Sequence, residues 1–396
     1  MQSRHHPIII IATFTLLQIV VLCVFGYTPY PDSDGYILLA EQCVSKGDIY
    51  PIASEINHYP FLWNIGAINA VVLSLRCFHS VTPLLVVYCL MKGTTAWFLY
   101  QTTKTIINSQ VALITLVLYV LYPANYGEGT SALSELPFMF FCLLAIYLAV
   151  VKDHVFTAGL MLAVANWFRP MAIVFLLAII IYHLYKWRKS LRLLIGYVAV
   201  VAMIGSLSYQ RTGLFLYQAK TGWMALIDYA TDNSIESQQV RDNHQWNVCQ
   251  KDSAWRSMCI DWILSNPKEY VAQMPRKLVN TYVSDNVNMC TFIPHKSERA
   301  YMYDEVSMNT LISDFPRFSA VQWLTLMNLI FYYILMIGAV ASLSHFKYSY
   351  CLLPIAVISL GTLLLLFVGH GEARFHIPFM PFAIMLSSMF ICQRYA

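Results

Sequence analysis

The sequence predicts an all-α, polytopic membrane protein with about ten transmembrane helices. Three observations lead there. Of its 396 residues, 58% are hydrophobic and only 12% are charged, against about 25% charged in a typical soluble domain. Eleven apolar segments recur along the chain, several of about 18 residues or more, the length a spanning helix needs. Within them the apolar residues run continuously rather than alternating, which selects helices over a barrel. The net charge of +4 is ordinary, and no nucleic-acid partner is expected.

The segments are 8–27, 61–78, 82–101, 108–123, 134–151, 155–168, 170–185, 191–210, 319–343, 350–368 and 376–392. The first is longer than a signal core and precedes no obvious small-residue cleavage site. It reads as a retained helix with Arg4, His5 and His6 on the cytoplasmic side. If every segment spanned, Lys104, Lys152, Lys186, Arg188, Lys189, Arg192 and Lys347 would fall outside, against the positive-inside rule. Demoting 61–78, which Asn64, Asn69 and Arg76 interrupt, to an interfacial or re-entrant helix moves all of them inside. Arg394 joins them, and ten spans remain.

The chain then divides into a membrane module over 1–210, a polar stretch at 211–318 and C-terminal helices over 319–396. The first external loop, 28–81, is expected to contain amphipathic helices. In the polar stretch, 261–283 reads as two short amphipathic helices broken at Asn266-Pro267 and again near Pro275. Residues 284–305 read as irregular loop. Six of the ten cysteines lie in apolar runs, where Cys acts as a small hydrophobe. Cys249 and Cys259 would be free to pair if their stretch is extracytoplasmic, which sequence does not decide. No C-x-x-C pair suggests a thiolate zinc site.

The candidate chemistry gathers on the external side. Asp32 and Asp34 in "PYPDSDGY" suit either a cap for a helix beginning near Gly35-Tyr36 or a general base beside the bilayer. Glu128 and Glu135 lie in or next to a short second loop near 124–134, where Ser131 or Ser134 would cap a helix and Glu135 would complement its dipole. Arg169, at a turn in "NWFRPMA", is either an interfacial anchor or an anion ligand. Arg374 in "GHGEARFHIPFMPF" suits snorkelling, pairing with Glu372, or phosphate binding through its planar fork. His370 and His376 flank it and lack an evident third metal ligand. Lys92, in the middle of an apolar run, must face protein or water and has no obvious partner.

These motifs, in this order, resemble the GT-C superfamily of integral-membrane glycosyltransferases, which includes protein O-mannosyltransferases and the lipid A aminoarabinose transferase. "DSDGYILLA" is similar to the family's first-loop pattern, with Asp32, Ser33, Tyr36 and Ala40 at the matching positions. "KGDIYP", the loop leading to Glu135, the Arg169-Pro170 turn and "GEARFHIPFMPF" follow as in the family, with Phe375 replacing a tyrosine. Ser33 stands where the two named relatives have Glu, which leaves a second first-loop carboxylate, Asp34, open.

The resemblance implies a polyprenyl-phosphate sugar donor and a glycan, lipid or protein acceptor hydroxyl. It implies inverting transfer with Asp32 as base. Arg374, Arg169, His376 and His370 would hold the donor phosphate, and Asp34 would serve as helix cap or acceptor contact. No cofactor is called for; relatives divide on divalent metal use, and none is predicted. The implied location is a bacterial inner membrane, with the site facing the periplasm. Rival readings are a flippase or transporter of lipid-linked glycans, an O-antigen ligase or polymerase using lipid diphosphates, and a scaffold. A transporter would show repeated halves; none is visible, although Lys92 leans that way.

Overall fold

The computed structural model describes residues 6–294, 302–345 and 348–393. Arg4, His5, Lys347 and Arg394 lie outside them. Among the described residues the chain is all-α, with one isolated antiparallel bridge, Leu62 to Lys220.

The N-terminal helices are α1 (His6–Phe25), α2 (Pro31–Ser45), α3 (Ile65–Phe78), α4 (Thr82–Ile106), α5 (Ser109–Leu121), α6 (Glu135–Val150), α7 (Val155–Phe168), α8 (Ala172–Tyr182) and α9 (Trp187–Thr212). Shorter helices follow: α10 (Gly222–Thr231), α11 (Ile235–Asp242), α12 (Val248–Ser265), α13 (Pro267–Ala272), α14 (Met274–Tyr282), α15 (Met302–Glu305) and α16 (Met308–Asp314). The chain closes with α17 (Ala320–Ser342), α18 (Tyr348–Phe367) and α19 (Met380–Gln393).

Six of the described segments are long and apolar enough to cross a membrane. A seventh arises if Ser109–Leu121 and Pro123–Thr130, bent by 68° where they meet, form one broken span. The chain is a multi-pass membrane protein on this count. α1 and α9 bury only 17% of their apolar windows and leave Leu16, Val20, Val24, Val198 and Leu207 exposed, surfaces that lipid rather than water would cover. Reaching ten spans requires α6, α7 and α8 to cross as well. They have 16, 14 and 11 residues, or roughly 16–24 Å of helix at 1.5 Å per residue, against a core of about 30 Å.

α3 is also too short to span. It packs into the protein, with Gly66 against the backbone of Trp167 and Phe168. The polar residues that interrupt its segment have local work. Asn69 bonds the Tyr50 backbone from both sides of its amide, and Arg76 donates to the Asp48 carbonyl. α7 and α9 approach at two glycines. A Cβ on Gly159 would strike the Leu193 carbonyl, and one on Gly196 the Phe156 carbonyl. Small residues permit such backbone contact between membrane helices.

α6 starts at Glu135 and α7 returns to Arg169, so the turn between them lies at the far end of both. There Asp153 pairs with Lys189, which places two of the basic turns together, away from Glu135 and Arg169.

The sequence expectations need three local corrections. α2 begins at Pro31, not near Gly35, because proline is preorganised for the first helical position. The Ser33 hydroxyl, not an aspartate, accepts from the Tyr30 N–H at 2.9 Å. Cys249 and Cys259 are both free and share α12. Ten residues of helix separate them by about 15 Å, too far for a disulfide. The expected loop at 284–305 contains a 3-10 turn, Val287–Phe292, and α15, with residues 295–301 outside the description.

Between α9 and the 3-10 turn, α10 to α14 build a small core of their own. Trp255, Leu226, Ile227, Val240, Cys259 and Tyr270 fill it. Its seam with α18 is polar. Tyr270 donates to the Phe367 carbonyl at 2.7 Å, and Lys277 lies 3.4 Å from that of Leu366. Both satisfy carbonyls left open at a helix C-terminus.

Candidate active site

Helix α2 follows α1 after five residues, and its first turn carries both loop aspartates. Pro31 and Ser33 fix that turn, so neither carboxylate is spent as a cap. The positive end of the helix dipole favours negative charge there. Asp34 accepts from the Tyr27 hydroxyl at 3.0 Å. Asp32 instead faces a cavity of about 310 Å³ and meets Arg374 there, at 2.7 Å.

Arg374 opens the 3-10 segment Ala373–Phe379, just after α18. Its Nε lies 2.7 Å from Glu372, and its NH1 lies 3.9 Å from Glu135 as well as against Asp32. Arg169, at the α7 C-cap, reaches Glu135 at 2.5 Å and the Ser134 hydroxyl at 3.4 Å. Phe375 lies between the two guanidinium groups, whose centres are 5.0 and 5.8 Å from its ring. That spacing suits cation–π contact. Two arginines and three carboxylates therefore form one cluster from four separate parts of the chain.

Burial alone would raise the Glu372 carboxyl, but Arg374, then His370 and Arg169, outweigh it and hold it down to about 2. His370 is 3.4 Å from Glu372 and also lines the cavity. Burial, and then the charges of Asp32 and Glu135, raise the Tyr36 hydroxyl and keep it protonated. That hydroxyl accepts from the Asn64 amide at 2.7 Å, and the same amide donates to Ser134 at 3.0 Å. Asn64 thus ties the first loop to the start of α6. Sequence reasoning treated it as an interruption; no spacing signal marks this role.

The remaining walls of the cavity are apolar. Leu364, Leu365 and Val368 come from the end of α18 and Phe61 and Trp63 from the first loop. Thr221, Gly222 and Met224 come from the start of α10. A charged floor beneath apolar walls is the arrangement that an amphipathic ligand with an anionic head requires.

Three sequence candidates stand elsewhere. Asp34 does not line this cavity. His376 is buried beyond it, with Nδ1 2.6 Å from the Thr281 carbonyl and Nε2 3.8 Å from Asp285, whose other oxygen accepts from Tyr122. Glu128 is the partner that Lys92 lacked in sequence. The two meet at 2.5 Å, with Lys92 fully buried over the Tyr119 ring. A sealed lysine is not exposed to a cargo path, which removes the observation that leaned toward a transporter. Among the described residues, no three His, Cys, Asp or Glu side chains are grouped to hold a metal ion.

Residues 64–209 match the family described as dolichyl-phosphate-mannose-protein mannosyltransferase. The match runs from the start of α3 into α9 and includes Glu128, Glu135 and Arg169, but not Asp32 or Arg374. No curated protein matches the chain.

Proposed function

We propose that this chain, whose residues 64–209 match the dolichyl-phosphate-mannose-protein mannosyltransferase family, is a membrane glycosyltransferase drawing on a lipid-phosphate sugar, with Asp32 and Arg374 as its reaction centre. The observation that carries this reading is their 2.7 Å contact at the floor of the cavity. The donor phosphate takes the place of carboxylates around Arg374 and Arg169, and its lipid follows the apolar wall of α18. Planar guanidinium groups suit phosphate oxygens.

The acceptor hydroxyl approaches Asp32. Its oxygen bonds the anomeric carbon as the carbon–oxygen bond to phosphate breaks, the electron pair leaving with the phosphate. The hydroxyl proton passes to Asp32, and the anomeric centre inverts. Arg374, assisted by Arg169, stabilises the charge that develops on the leaving phosphate. Glu135 holds Arg169 in place. The family points to mannose as the sugar transferred. His376, turned to Thr281 and Asp285, has no donor role in this scheme.

We place the site on the extracytoplasmic face of a bacterial inner membrane. The joined basic turns at the far ends of α6 and α7 support that orientation. In this topology α6, α7 and α8 complete ten spans across a locally thinned bilayer. The 1–210, 211–318 and 319–396 divisions serve as catalytic module, external subdomain and closing helices.

The test is turnover of polyprenyl-phosphate mannose by purified protein. The expected products are free polyprenyl monophosphate and transferred sugar, both lost in Asp32→Asn. Near-normal turnover in a folded Asp32→Asn protein would sink the assignment of the base.

A further inference from the structure

A second cleft, of about 770 Å³, opens beside the reaction cavity. Helix α10 joins them. Gly222, Met224 and Ala225 at its start border the reaction cavity, and Asp228 to Thr231 at its other end border the cleft. Ala225 and His370 line both spaces. From His370, contacts lead through Glu372 at 3.4 Å and Arg374 at 2.7 Å to Asp32. The cleft therefore adjoins the cavity at Ala225 and His370, beside the end of α18.

The character of the cleft is opposite to that of the cavity. Asp232, Asn233, Gln273, Arg276 and Tyr229 are prominent in its lining. Arg276 is exposed and has no ion-pair partner among the described residues. The Tyr229 hydroxyl and the Gln273 Oε1 are buried and lack a hydrogen-bond partner among the described residues. Unsatisfied buried groups of this kind cost about 1–3 kcal/mol each, and a turn of either side chain toward the cleft would let a ligand there satisfy it. Beneath them Lys277 is sealed under the Tyr229 and Tyr270 rings, so the floor is fixed.

We infer that this cleft binds the acceptor, and that the acceptor is an oligosaccharide. The inference rests on the glycosyl-transfer reading above. Planar amide, carboxylate and guanidinium groups beside an aromatic ring can hydrogen-bond a chain of hydroxyls, and such groups discriminate strongly against ligands that lack them. An acyl chain would find little apolar wall there. A peptide would find no strand edge, the usual support for an extended backbone. Length follows from α10: its 10 residues span about 15 Å. A ligand anchored at the far end of α10, near Thr231 and Asp232, and reacting at Asp32 must therefore extend beyond one sugar ring.

The test has two arms on the full-length protein. Saturation-transfer NMR without donor uses mono- to tetrasaccharides of mannose, glucose, galactose and N-acetylglucosamine. Turnover of polyprenyl-phosphate mannose uses the same saccharides, a Ser/Thr peptide and a lipid alcohol. Binding and transfer are expected to improve with saccharide length. Tyr229→Phe and Arg276→Gln are expected to raise KM for the longest active saccharide about tenfold, with kcat within twofold and no such change for a monosaccharide. Saccharide binding without release of lipid monophosphate would overturn the donor reading while leaving the cleft as a saccharide site. Absence of saccharide binding, transfer confined to peptide or lipid, or unchanged KM in both variants would overturn the cleft assignment.

Discussion

Arg374 and Asp32 meet at 2.7 Å, joining the segment after α18 to the first turn of α2. The contact gathers the two ends of the chain around one cavity, and it neutralises the base candidate while no substrate is present.

Replacing Asp32 with Asn is expected to lower kcat by about 10²–10⁴, the usual contribution of a positioned base. The thermal midpoint in detergent should fall by only a few degrees, since Pro31 and Ser33 still set the helix start and Glu372 still pairs with Arg374. Parallel turnover and unfolding measurements check both halves.

Arg374→Lys tests geometry rather than charge. Lysine keeps the cation but cannot span Asp32, Glu372 and a phosphate with one planar group. We expect kcat to fall roughly 10²-fold, in the range of a lost transition-state donor. A change confined to acceptor KM would contradict the phosphate role.

Much of this was legible in the sequence. Apolar run length located the long membrane helices but not α2 or α10 to α16, because lipid exposure leaves little room for polar residues only in the former. The charge rule singled out 61–78; α3 there has 14 residues, as α7 does, so length alone does not separate the two. Asp32, Glu135, Arg169 and Arg374 could be placed on one face, but their convergence could not: it depends on how far α6 and α7 tilt and where the chain turns at Gly371. Glu128 and Lys92 were both noticed, yet their pairing bridges α4 and a broken helix and has no periodic signature. His376 shows the converse. Two residues from Arg374, it turns the other way on a 3-10 segment, and linear proximity misleads.

The Lys92–Glu128 pair is fully shielded, so breaking it should be worse than removing it. Lys92→Met or Glu128→Gln alone is expected to destabilise by about 3–5 kcal/mol, while the double variant recovers much of the loss. Unfolding midpoints of the three proteins measure the coupling.

Lys277 gives a pH signature. Burial lowers its ammonium from 10.5 to about 8. The unfolded chain therefore binds more protons between those values, and stability rises with pH across that window. Below about pH 8 the full cost of the buried charge is present. Lys277→Met should remove the rise and stabilise the protein near pH 7 by roughly 1–3 kcal/mol. Denaturation midpoints from pH 7 to 10.5 decide the matter; an unchanged slope in the variant would assign it to another group.

Because Ser33 and Pro31 start α2, the reactive carboxylate between them is not needed to begin the helix. A copy carrying Asp32→Asn is therefore expected to keep the helix and fold. On the proposed mechanism such a copy would keep its arginines and its lipid groove and sequester the donor. In a population of mixed copies it would compete with its active neighbours for donor.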